Sequence, residues 1–302
     1  MAITFAYNLE DTGACARYQS LWEQTGGIFA SLSYAKATAS AFGLKPKFWF
    51  ANDQAALLAH VKAAGLLQRI VVPPCTQYSA LLLLHQPQTH LIHRQKSPID
   101  QLLECVERTS NRADLLFTID DPRTAQWRNW NVRPLFTYLI HLPSKIENWS
   151  STARRTWRSN RDKYDINESP SYASEVIDLC RMSYERHGRS LPAAPKALKS
   201  ICMYMGESAR VFVAERDGVV EAGVIILHDD HTAHYWVAGS IPGDAMTVLI
   251  GEMLQRLASS KLSVFDFVGA NTPSIAEFKR SFNPVLTQYY HLQRRSRFNI
   301  GR

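Results

Sequence analysis

A chain of 302 residues exceeds one ordinary domain and suits two of about 150 residues each. Hydrophobic residues at 46% and charged residues at 20% exclude a disordered chain, and the longest aliphatic run, Ala80–Leu84, excludes a membrane span. A formal charge of +7 predicts an anionic partner, a class that takes in phosphate-bearing cofactors, nucleotide-linked substrates, tRNA and an acidic membrane surface.

The start of the chain has no basic segment and soon meets Glu10 and Asp11. The five cysteines (Cys15, Cys75, Cys105, Cys180, Cys202) show no C-x-x-C pairing. Both features predict a cytoplasmic protein with reduced thiols. In the first half, Phe48–Ala51 and the polar Asn52-Asp53 read as a strand and turn, followed by strands over Ala55–Lys62 and Leu67–Val72. Pro73-Pro74 and Tyr78 fit a rigid substrate-facing loop, although paired prolines also simply end strands. An amphipathic helix is expected over Asp100–Thr109 and a buried strand over Leu115–Ile119.

A strand over Pro134–Leu142 then leads to a connector, Pro143–Ser151, that ends in a helix cap, which sets a domain boundary near residue 145. On the next helix Arg154, Arg158 and Arg161 are spaced by four and seven residues. They share one side beside Trp157, as a diphosphate or carboxylate grip or as a solvated basic face. Tyr184, Arg186, His187 and Arg189 close a further helix, as an acceptor entrance or as a conventional polar loop. Val211–Ala214, the Asp217-Gly218 turn and Val219–Leu227 form a predicted hairpin, extended by a strand over Thr232–Ala238. A helix over Ala245–Ser259 and a short strand over Val264–Val268 complete the series. His228, Asp229, Asp230, His231 and His234 are metal-ligand types, yet neighbours in one hairpin turn do not converge tetrahedrally, so no metal is expected.

The second half thus repeats the order of the first, and duplication is the expectation. The fold class is α/β (α+β), with two tandem domains, 1–145 and 146–302, each a mixed and mostly antiparallel sheet flanked by helices. The tail 286–302 is a candidate to return to the first domain.

Three segments in order carry a family likeness: Ser150–Arg158, Val211–Gly218, and Phe265–Ala270 before Glu277–Phe282. Together they resemble the tandem acyltransferases of the Fem aminoacyltransferase and GNAT-like group, over roughly residues 20–290 and most clearly after 150. The resemblance implies a sheet in each half that splays between its fourth and fifth strands, here Thr232–Ala238 and Val264–Val268, so that an acyl donor lies in the gap. It implies an N-acyltransferase, with acyl-CoA as the favoured co-substrate and an amine of a sugar, peptide or cell-envelope precursor as acceptor. An aminoacyl-tRNA-dependent enzyme and a non-catalytic binding module are the alternatives.

Two departures bear on the donor. The loop Gly239–Asp244 lacks the Gln/Arg-x-x-Gly-x-Gly signature that grips a CoA pyrophosphate, and no long charged helical hairpin of the tRNA-associated kind is present.

On that reading backbone N–H groups near Tyr235, Trp236 and Val237 polarise the donor carbonyl, with Ala238 and Gly239 continuing the donor-binding stretch, while Asp244, Ala245 and Met246 open a helix whose free N–H groups hold phosphate or simply follow a helix-opening turn. Asp266, alone in an apolar strand, is either a general base or a capped or Lys279-paired carboxylate. Tyr235 is a candidate proton donor to the leaving group or a plain sheet-packing residue, and Lys279 a charge partner for a substrate carboxylate or phosphate or an ordinary surface lysine. Arg154, Arg158, Arg161, Trp157, Tyr184, His187 and Tyr78 are the expected substrate contacts.

Overall fold

The computed structural model describes residues 6–64, 67–85 and 97–295; the last part of the basic tail, 296–302, lies outside them. The chain divides into two compact units, residues 1–135 with 288–302, and residues 136–287.

In the first unit the order is β1 (Tyr7–Asn8), α1 (Thr12–Thr25), α2 (Leu32–Phe42), β2 (Lys45–Ala51), β3 (Ala55–Ala64), β4 (Leu67–Val71), β5 (Ala80–Leu83), α3 (Pro98–Thr109), β6 (Arg112–Phe117) and α4 (Arg123–Trp127). Then follow β7 (Asn131–His141), α5 (Ser151–Asn160), β8 (Asp165–Glu168), α6 (Ala173–Arg186), α7 (Pro195–Met205), β9 (Ala209–Arg216), β10 (Val219–His228), β11 (Thr232–Ser240), α8 (Ala245–Ala258), β12 (Val264–Asp266), α9 (Pro273–Arg280) and β13 (Val285–Arg295). The unit boundary falls inside β7 and not in the 143–151 connector, and β13 from Gln288 onward belongs to the first unit, where Tyr290–Arg295 pairs with β6.

Local chemistry accounts for the element ends. Asp11, Ser31, Ser97 and Ser150 each accept from a backbone N–H three residues on, capping α1, α2, α3 and α5. The β9–β10 hairpin turns on Asp217-Gly218, both in the left-handed region at φ +54° and +76°, as a tight hairpin requires.

Each unit has antiparallel strands followed by a crossover helix and a parallel strand. β2–β3–β4 is antiparallel and β4–β6 parallel in the first unit; β9–β10–β11 is antiparallel and β11–β12 parallel in the second. In the second unit α6 and α8 cover opposite faces of the sheet. Ala222, Val224 and Ile226 pack with Val248, Leu249 and Met253 of α8, whereas the alternate residue Gly223 meets Val176 of α6.

Two polar clusters fix the first unit. Arg128 reaches Glu107 through two nitrogens, at 3.0 and 2.6 Å, and Asp100 at 2.9 Å, while Trp130 Nε1 donates to Glu107 at 2.8 Å. Burial raises the Glu107 pKa, but these partners outweigh it and hold the carboxyl below its ordinary value. Arg128→Ala strands two carboxylates that are only partly open to water, and urea unfolding of the variant is expected to give a loss of about 2 kcal/mol.

His60 is the second cluster. It is buried on β3, with Nε2 2.9 Å from Thr38 Oγ1 and 3.2 Å from the Ala35 carbonyl oxygen. Burial lowers its pKa from 6.5 to about 4. The folded unit therefore refuses a proton that the unfolded chain accepts, and stability is lost as pH falls from 6.5 towards 4. Between pH 7.5 and pH 5 the loss is about 2 kcal/mol by linkage. Unfolding curves at the two pH values for wild type and His60→Leu should show that increment in wild type only.

Candidate active site

The two parallel pairings are short. β11 meets β12 only at Thr232–His234 against Val264–Asp266, so among the described residues Tyr235–Ser240 has no β12 neighbour. The seam therefore parts towards the end of β11 that leads to α8. In the first unit β4 meets β6 only at Arg69 and Ile70. There the following segment fills the space, because Ser79 donates its N–H to the Leu116 carbonyl at 2.8 Å and accepts the Leu116 N–H on Oγ at 2.9 Å. Tyr78 beside it is half-buried and packs edge-on between Phe29 and Tyr289.

Along the open seam β11 carries an irregularity. Ile225 pairs with Val237 but Ile226 pairs with Tyr235, which leaves Trp236 as an extra residue. Such a bulge turns backbone groups out of the ladder and re-aims the side chains around it. Tyr235 consequently lies on the α8 face, where its hydroxyl donates to Met246 Sδ at 3.3 Å and its ring meets Phe265 and Phe267 edge-on. Burial, with a smaller contribution from Cys180 of α6, pushes the phenol above its ordinary pKa. Gly239 is the contact with α6: a Cβ there would stand 2.2 Å from Cys180 N and 2.3 Å from the Leu179 carbonyl carbon. Arg186 Nη2 donates to the Ser240 carbonyl at 2.5 Å, placing a cation at the loop before α8.

Asp266, at the closed end of the seam, is 1% exposed. Its Oδ1 accepts from Thr137 Oγ1 at 2.5 Å and from Val268 N–H at 2.8 Å, and its Oδ2 lies 3.2 Å from His234 Nδ1. Thr137 in turn accepts Gly269 N–H at 3.0 Å. This network explains why the strand ends at Asp266 and not at Val268 as expected: Val268 sits at φ +53°, a strained conformation for a β-branched residue.

Lys279, 5% exposed on α9, holds the same loop from the other side. Its ammonium has three N–H bonds and three acceptors, the carbonyls of Phe267 (2.7 Å), Val268 (3.3 Å) and Gly269 (2.8 Å). It lies 5.4 Å from the centre of the Tyr235 ring. Burial lowers its pKa from 10.5 to about 8, against the pull of Asp266. Sequence reasoning named Asp266, Tyr235 and Lys279 as candidates but not Thr137, whose distance in the chain hides it.

The other expected contacts do not gather at the seam. α5 ends at Asn160, so Arg161 is off the helix that should have carried it; it stacks 5.0 Å above the Trp157 ring and pairs with Asp162 at 3.4 Å. Arg154 donates to the Glu147 carbonyl at 2.9 Å, and Arg158 is exposed. Trp157 is buried against Gly251 of α8 with Nε1 on Glu252, 3.1 Å away. Tyr184 and His187 are exposed at the end of α6.

At the start of α8, Asp244 makes no side-chain cap and accepts from Asn160 at 3.2 Å. A polar surface cavity of about 600 Å³, lined by Arg161, Asp162, Asp165, Glu252 and Arg256 among others, includes none of the seam residues. No group of metal ligands occurs among the described residues, and no described helix is long and apolar enough to cross a membrane.

Residues 148–280, which contain the bulged strand and the parted seam, match the family model described as Acetyltransferase (GNAT) domain. The second half is thus similar to a GNAT domain. Solved structures extend the likeness to nearly the whole chain. FemX superposes with a TM-score of 0.70 at 9% identity, covering 91% of this chain and 95% of its own. A tandem GNAT protein from the clavulanic acid biosynthesis pathway gives 0.54 at 12%, over 96% and 98%. The C-terminal domain of a protein assigned as a lysylphosphatidylglycerol synthetase from Agrobacterium fabrum gives 0.56 at 15%, over 92% of each chain. At these identities the likeness is one of fold. No curated protein matches the chain.

Proposed function

We propose that the protein is an N-acyltransferase that moves an acyl group from an activated donor to the amine of a sugar, peptide or cell-envelope precursor, with the donor carbonyl held in the seam of the GNAT domain. The observation that carries this reading is the bulge at Trp236, which lies where β11 has parted from β12. Backbone N–H groups along Trp236–Gly239 would face the carbonyl oxygen as it becomes negative. The amine attacks directly, the tetrahedral intermediate collapses, and the leaving group departs with a proton. Tyr235 is suited to supply a hydrogen bond there, since its raised pKa keeps the phenol protonated. Asp266 and Lys279 act through the 267–269 loop, which they hold from two sides.

Acyl-CoA remains the first donor to test. Ala245, Met246 and the α8 dipole would receive its phosphates, with Arg186 beside Ser240. Asp244 at the same helix start opposes a diphosphate, and aminoacyl-tRNA, which carries its acyl group at a terminal ester, is the second donor to test. Two assays separate them: free thiol released from acyl-CoA in the presence of an amine panel, and labelled amino acid passed from charged tRNA. Turnover in either arm supports the proposal, and inertness in both leaves a binding module. Tyr235→Phe should lower kcat about 100-fold with little change in KM; a change below about threefold would remove Tyr235 from the chemistry.

A further inference from the structure

α7 has one buried face and one exposed face. Its buried row is Leu198, Ile201, Cys202 and Met205, spaced by three and four residues. The opposite row consists of Lys196, Lys199, Met203 and Tyr204, all exposed, and Met203 and Tyr204 are 71% and 55% open to solvent. Steps of three, four, seven and eight residues put them on one side of the helix, with lysines towards its start and the apolar pair towards its end. The bias extends into the α6–α7 loop: residues 186–206 hold four Lys or Arg and no Asp or Glu, and Arg189 is exposed.

We propose that this face of α7, with Arg189, docks on an anionic lipid surface. Positive charge without any acid fits a negatively charged headgroup layer. Two large apolar side chains beside the lysines fit the boundary beneath it, because lysine stems can lie along the surface while methionine and tyrosine enter. A nucleic acid would use the lysines and stack on Tyr204, but gives the Met203 thioether nothing equivalent. Two inserted side chains make a weak anchor by themselves, so charge must supply most of the affinity and salt must abolish it. α6 packs against α7 and meets β11 at Gly239, so this contact would set the donor seam close to the lipid surface.

Sedimentation of the whole protein with vesicles tests this without donor or acceptor, so its outcome is independent of the transferase reading. Phosphatidylcholine vesicles containing phosphatidylglycerol should carry the protein down at low salt, and pure phosphatidylcholine should not. Lys196→Glu with Lys199→Glu should weaken binding about twentyfold or more, at about fivefold per cation near an anionic surface. Met203→Ser with Tyr204→Ser should weaken it several-fold and leave its salt dependence intact. Both pairs are exposed, and an unchanged melting curve identifies folded variants. Absence of binding, equal binding by the lysine variant, or uptake of an oligonucleotide where vesicles are refused would each overturn the proposal.

Discussion

Lys279→Met is expected to reduce turnover at least 100-fold while moving the melting temperature by only a few degrees. Two opposed effects explain the small change in stability. The depressed pKa, about 8 against 10.5, means that burying the ammonium costs about 3 kcal/mol at neutral pH, and methionine does not incur that cost. Against this, the carbonyls of Phe267, Val268 and Gly269 lose their donor, at about 1 to 3 kcal/mol for each that stays dry. The sums are of similar size, so the fold survives.

The loop geometry would not survive unchanged. Val268 is held at φ +53° by Asp266 on one side and Lys279 on the other, and with one support gone it relaxes away from the seam. The pH dependence separates this from a merely structural lysine. The unfolded chain keeps its proton up to 10.5 and the folded one only to about 8, so the Lys279 contribution to stability rises between those values. Turnover should fall over the same range, as the ammonium gives up a hydrogen bond to the loop. Opposite slopes of stability and turnover above pH 8 in wild type, and neither in Lys279→Met, are the expected pattern. Parallel slopes would assign the lysine to stability alone.

Gly239→Ala should have the largest effect on stability. The added methyl meets backbone atoms of α6 at 2.2 to 2.5 Å, which no rotamer change relieves. Either α6 moves off the sheet or the end of β11 bends into the seam, at a cost of at least about 3 kcal/mol. For a unit of this size that is about 10 °C in the melting transition. Gly251→Ala gives a useful contrast. Its methyl meets the Trp157 and Trp149 rings at 2.5 to 3.1 Å, side chains that can shift, so a smaller loss is expected with the seam intact.

How much the sequence disclosed depended on the range of the interactions involved. The β9–β10 hairpin was readable because alternation and Asp217-Gly218 are local signals, and so was the repeated strand, helix and strand order. The bulge was not, since one extra residue within Thr232–Ser240 leaves no mark in a run without strict polar and apolar alternation. Spacing put Arg161 on the face of Arg154 and Arg158, but the helix stops at Asn160 and the guanidinium turns onto Trp157. Asp266 was marked by being a carboxylate among apolar residues. Its partner Thr137, 129 residues away, could be found only in three dimensions. The same is true of Ser79, which closes the equivalent seam of the first unit by bonding to Leu116.

Amide hydrogen exchange offers the most direct measurement of donor binding. Acyl-CoA and charged tRNA are added separately, and exchange along Trp236–Gly239 of β11 is compared with that along β4. One donor should slow exchange over Trp236–Gly239 and leave Leu67–Val71 unchanged. Protection confined to β4, or no change in β11 with either donor, would contradict a carbonyl site in the seam.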